Sequence, residues 1–125
     1  MRRRTFIGSS AAVGLTPAMA AENPARNSIY LLYYFYMRTG PQVERTTAYL
    51  RDVYAPAAKR NGVGPVGFFS PVVGEHSPYI LSLASHAGWA ALDEAHGKFA
   101  EDKEFQKGWD AYNTIGDPAY IRMDV

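Results

Sequence analysis

From Ile29 through Tyr30, Leu31, Leu32, Tyr33, Tyr34, Phe35 and Tyr36 to Met37, nine residues follow one another without a polar interruption. A run of strand formers lacking apolar and polar alternation implies burial on both faces. A small domain with one sheet covers one of those faces with its own helices. The other face needs a second sheet, supplied by another copy of the domain or by a partner segment. This strand therefore predicts paired sheets around an apolar, tyrosine-lined space.

The chain starts Met1, Arg2, Arg3, Arg4, Thr5, Phe6, Ile7, Gly8, continues small and apolar from Ser9 to Pro17, and reaches Ala18, Met19 and Ala20. A basic start, a short apolar stretch and an A-x-A site define a secretory signal peptide over residues 1–21. Arg3, Arg4, Phe6 and Ile7 match the twin-arginine pattern, an export address read by a receptor. The apolar part is too short for a bilayer span. The expectation is a bacterial protein exported to the periplasm or beyond, with a polar linker at 22–27 and one domain at 28–125.

Removing the leader takes away three arginines and no acid. That leaves 10 basic against 12 acidic residues, a net charge of −2 in place of +1. A mildly acidic domain without a basic stripe has no electrostatic footprint for nucleic acid. Nor does it have one for a membrane surface. There is no cysteine, which excludes disulfides, thiolate nucleophiles and cysteine-based metal sites. Stability must come from the core and from interfaces.

After the first strand, Arg38, Thr39, Gly40 and Pro41 break the pattern, and a helix begins near Pro41. Val43, Thr47, Leu50, Val53, Tyr54 and Ala57 give it one apolar stripe. Pro56 is expected to kink it or restart a turn, and Lys59, Arg60, Asn61 and Gly62 end it. Residues 64–74 read as a glycine-punctuated strand in which Pro65 and Pro71 favour an edge position. Tyr79 to Ala84 form a third strand that pairs with it. From His86 to Asn113 the pattern is helical in two pieces, with Asp102 capping the second. Gly116, Asp117 and Pro118 turn into a last strand over 119–125. The order is β-α-β-β-α-β, an α+β ferredoxin-like plan with an antiparallel sheet and helices on one face.

Gly64 to Phe69 with Val73 and Gly74, then Ser77 and Pro78, the segment from Asp102 to Lys107, and Tyr120 to Met123 resemble the bacterial NIPSNAP family over nearly the whole mature chain. These motifs shade into neighbouring dimeric α/β-barrel families, among them antibiotic-biosynthesis monooxygenases. The resemblance implies that two sheets pack face to face in a shared barrel, from a homodimer or from a tandem second domain. NIPSNAP relatives usually start with a strand similar to Tyr-Glu-Leu-Arg-x-Tyr. Aligning Tyr30 with its first tyrosine puts Leu31, Tyr33 and Phe35 where the Glu, Arg and second Tyr stand, so chemistry needing that charged pair is not expected. Residues two apart share a face. By the resemblance, Leu31, Tyr33 and Phe35 line the barrel, and Tyr30, Leu32, Tyr34 and Tyr36 pack on the helices.

Catalytic groups are sparse. His76 falls in a hairpin, His86 at a helix start and His96 on a helix face, without the four-residue spacing of helical metal sites. No metal is expected, and His86 stands nearest a barrel mouth. Haem-degrading relatives carry an axial histidine where this chain has Trp109, which leaves His96 as a weak substitute, and no cofactor is expected. Ser70, Ser77, Ser82 and Ser85 lack a nucleophile elbow, and the carboxylates gather on helical surface. The excess that remains is aromatic: Tyr33, Phe35, Tyr120 and either Phe68 or Phe69 could line a cavity for a planar apolar molecule. Arg122 either binds an anionic group there or pairs with Asp124. The leading expectation is a domain that binds a small apolar or aromatic molecule between paired sheets. The alternatives are a cofactor-independent monooxygenase-like enzyme and a structural half of a tandem protein.

Overall fold

The computed structural model describes residues 28–125, so the expected signal peptide, with Arg3, Arg4, Phe6, Ala18 and Ala20, and the expected linker at 22–27 lie outside the described residues. Strand β1 (Ile29–Tyr36) leads into α1 (Pro41–Tyr49), a π-helical turn (Leu50–Tyr54) and α2 (Ala55–Arg60). Then come β2 (Val66–Phe69), β3 (Tyr79–His86), α3 (Trp89–Glu101), α4 (Lys103–Thr114) and β4 (Arg122–Asp124). The sheet is antiparallel in the order β2-β3-β1-β4. This is the ferredoxin-like arrangement that the element order predicts. Its middle strands are the two richest in apolar residues. Proline flanks β2 at Pro65 and Pro71, and β2 takes an edge, where a missing N–H costs no ladder bond.

The outer strands are shorter than expected. Only residues 66–69 of the 64–74 stretch pair, because Val72 and Val73 extend into solvent and are almost fully exposed. Ladder pairing of β4 begins at Arg122 instead of residue 119. No helix among the described residues is long and apolar enough to cross a membrane.

The helices pack on one face of the sheet, and the core sits between. Tyr49 and Tyr112 stack with ring centroids 4.3 Å apart, joining α1 to α4. Beside them the Tyr112 and Thr46 hydroxyls lie 2.7 Å apart, which satisfies two buried polar groups in one contact. Arg45 donates to the carbonyl of Tyr112 at 2.7 Å, placing a cation over the C-terminal end of α4. Gly108 on α4 faces Val53. A β-carbon there would come within 2.5 Å of a Val53 methyl, so glycine allows the helices to approach this closely.

Asp102 separates α3 from α4, as the sequence predicts. Its carboxylate accepts from the Phe105 backbone N–H at 3.0 Å, and from Arg60 and Asn61 at 2.8 and 2.9 Å. One residue thus caps α4 and ties it to the end of α2. The cap bond, then Arg60 and Asn61, hold its carboxyl down at about 2. An unfolded aspartate titrates near ~3.9, so the unfolded chain takes up this proton first and acid favours unfolding. The stabilisation is complete above about pH 4 and is lost toward about pH 2. Melting of wild type and Asp102→Asn should therefore differ at neutral pH and converge as pH falls through that window.

Candidate functional site

Strand β1 presents alternate residues to opposite sides, and the structure reverses the sides given to them by the resemblance. Phe35 belongs to the core with Tyr49, Leu50 and Tyr112, and Tyr33 packs against it. Leu31, Tyr33 and Phe35 therefore point to the helices. Tyr30, Leu32, Tyr34 and Tyr36 occupy the open face, paired with Ser85, Leu83, Leu81 and Tyr79 of β3. The reason lies in the partner strand. Its residues at Ile80, Ser82, Ala84 and His86 are buried, and Ser82 and Ala84 are small, so helices can close over that side. The tyrosines of the other side keep their hydroxyls within reach of water.

Between the sheet and the helices lies a cavity of about 320 Å³, at the lower end of the range for small-molecule pockets. Its walls are mostly apolar. Leu31, Tyr33 and Phe35 come from β1, Ser82 and His86 from β3, and Tyr49, Leu50 and Tyr54 from the first helical stretch. Ala95, His96 and Phe99 of α3 and Phe105, Gln106 and Trp109 of α4 close it. The π-helical turn matters here. Ala55 donates its N–H to Leu50, five residues back, which gives that turn one residue more than an α-turn. Tyr54 is thereby placed on the cavity, stacked on Phe99 at 5.8 Å and edge-on to Phe68 at 6.1 Å.

Burial favours the neutral forms of Tyr33, Tyr49, Tyr54 and His86 on these walls. Burial pushes the Tyr54 hydroxyl up to about 12, partly offset by the Ser82 hydroxyl beside it. Burial raises Tyr33 and, much further, Tyr49. His86 moves the other way, lowered first by burial and then by the charge of His96. The cavity thus offers phenol and serine hydroxyls and a neutral imidazole on an apolar lining.

Of the residues singled out in the sequence, Tyr33, Phe35 and His86 line this cavity. Phe68 and Tyr120 lie on the same side of the sheet but outside it. Phe68 packs on Tyr54, and Tyr120 bridges Phe35 and Tyr112 at 6.0 Å each. Arg122 lies on the open face, 4.3 Å over the Tyr36 ring and 3.1 Å from Asp124. Tyr120 and Arg122 do not share a face, because Tyr120 precedes the strand and the alternation starts after it. Tyr54, Phe99 and Trp109 were not predicted as lining. Their three- and four-residue spacing marks apolar helix faces, and the expected cavity lay between sheets instead of beneath them. No group of three or more metal-ligating side chains occurs among the described residues.

The fold and cavity define an open-faced α+β sandwich with a pocket under its sheet. A solved structure of a NIPSNAP family protein from Agrobacterium tumefaciens has the same fold, with a TM-score of 0.60 at 20% identity, covering 78% of this chain and 81% of that one. No family model matches the chain, and no curated protein matches it.

Proposed function

We propose that this chain is an exported NIPSNAP-like domain that binds a small apolar or aromatic molecule in the cavity between its sheet and helices. The observation that carries this reading is the cavity: about 320 Å³, apolar, and edged by neutral hydroxyls and an imidazole that can orient a ligand. Export rests on the twin-arginine leader, and retention in the cytoplasm of an Arg3→Lys, Arg4→Lys variant is its check. Isothermal titration with 2-naphthol tests the binding. Saturable binding is expected, weakened at least about tenfold in Ala95→Leu, whose added atoms project into the space. Absence of heat from the folded wild-type chain would remove the proposal. Matching melting curves for the variant would separate a filled pocket from a broken fold.

The open sheet face supports a homodimer. Tyr34, Tyr36, Tyr79, Leu81 and Leu83 are only partly covered, and Tyr30 and Phe69 are 59% and 55% exposed. So much aromatic surface on a sheet marks an interaction face, and the self-complementary partner is a second copy of the same face. Light scattering coupled to size exclusion should give twice the chain mass, falling to one chain in Tyr34→Glu with Leu81→Glu. A wild-type chain that stays monomeric at high micromolar concentration would defeat the pairing.

A further inference from the structure

A second cavity of about 220 Å³ adjoins the first, with Val63, His86 and Ala95 in the walls of both. The two differ in character. The inner one is aromatic, while the outer is bordered by Asn61, Ser85, Glu94 and Lys98. His86 stands at their junction. It is only 8% exposed, and no hydrogen bond joins its imidazole to another described residue. No buried side-chain nitrogen or oxygen among the described residues lacks a partner. The ring nitrogens of His86 must therefore border the open space of the cavities. A largely buried imidazole whose nitrogens open on a cavity can hydrogen-bond a ligand atom there.

Charge narrows the choice of that atom. The titratable groups around the two cavities are Tyr33 from β1, Tyr49 from α1, Tyr54 from the π-helical turn, and Glu94, His96 and Lys98 from α3. Glu94 is the acid among them, and Lys98 pairs with it at 3.4 Å. The inner cavity has two imidazoles and no carboxylate in its walls. An anion is the complement of that set. We infer that the ligand is an amphipathic aromatic acid, with its rings in the inner cavity and its carboxylate at His86, where the two cavities meet. This rests on the apolar-ligand reading and names the chemical class of that ligand.

The pH dependence follows. In the empty protein, burial and His96 disfavour a proton on His86. A bound carboxylate opposes both with an attractive charge beside the ring, so the complex takes up a proton on forming. Affinity for the acid then rises as pH falls from about 8 to about 6, until the ligand itself begins to lose its charge.

The experiment compares 2-naphthoate with its neutral near-isostere 2-naphthamide by titration calorimetry on the purified chain, in buffers of different ionisation heat. Naphthoate should bind about tenfold more tightly at pH 6 than at pH 8, with proton uptake, and naphthamide should show neither effect. His86→Gln should abolish the pH dependence of naphthoate binding, so that its affinities at pH 6 and pH 8 agree. Naphthamide binding as tightly as naphthoate at every pH would overturn the acid head group and leave the apolar cavity standing. Failure of both to bind would overturn the two together. The wild-type comparison decides the question even if the variant does not fold.

Discussion

Tyr49→Ala should cost about 3 to 5 kcal/mol, the range for removing a buried aromatic ring from a core. Tyr49 is 6% exposed, stacks on Tyr112 at 4.3 Å and meets Trp109 at 5.6 Å. It therefore joins α1 to α4 and forms part of the cavity wall. Alanine would merge the ring's volume with the existing cavity, and the layers cannot collapse to fill it without moving α4. A domain of this size holds about 5 to 15 kcal/mol in all, so the variant should be on the edge of unfolding. Each kcal/mol should appear as about 4 to 8 °C in Tm. Tyr49→Phe should cost little, since its hydroxyl makes no hydrogen bond to a described residue. Urea unfolding of the two variants checks this, and a loss below about 1 kcal/mol for alanine would show that the stack does not hold the layers.

Gly108→Ala should destabilise the protein by about 1 to 2 kcal/mol, although alanine is the better helix former by about 1 kcal/mol. The new β-carbon would meet the two Val53 methyls at 2.5 and 2.8 Å. Overpacking of that kind costs about 1 to 3 kcal/mol. The sign of the result separates the two effects, because propensity alone predicts stabilisation. A partner substitution sharpens the test. In Val53→Ala the obstruction is gone, and Gly108→Ala should become neutral or favourable in that background, giving a coupling of at least about 1 kcal/mol. Additive losses would show that close approach at Gly108 is not the constraint.

Element order, the helix break at Asp102 and the edge position of β2 were legible in the sequence because each has a local cause. Asp102 can cap only the helix that follows it, and Pro65 and Pro71 cannot sit in a central strand. Which side of β1 faces the helices was not legible. Both alternating sets, Leu31-Tyr33-Phe35 and Leu32-Tyr34-Tyr36, are apolar, so period two gives the faces without ranking them. The deciding information lay in β3, where Ser82 and Ala84 make room for helices and Leu81 and Leu83 do not. The cavity followed the same course. The resemblance set Tyr33 and Phe35 between paired sheets, whereas with His86 they line a space under the sheet shared with Tyr54, Phe99 and Trp109, and that space depends on a layer spacing that no single segment encodes. The π-helical turn left no periodic trace, since one extra residue shifts the apolar stripe by less than its own width.

That turn sets the phase of everything after it. One residue subtends about 100° around a helix axis, so winding the same sequence through Leu50–Tyr54 as regular α-helix would rotate α2 by over a quarter turn relative to α1. Tyr54 would swing off the cavity, and Ala57 and Ala58, fully buried in the fold, would turn out of the core. Here the chain works like a keyed coupling, in which one added tooth makes two helical segments engage the sheet at different angles while continuous in backbone.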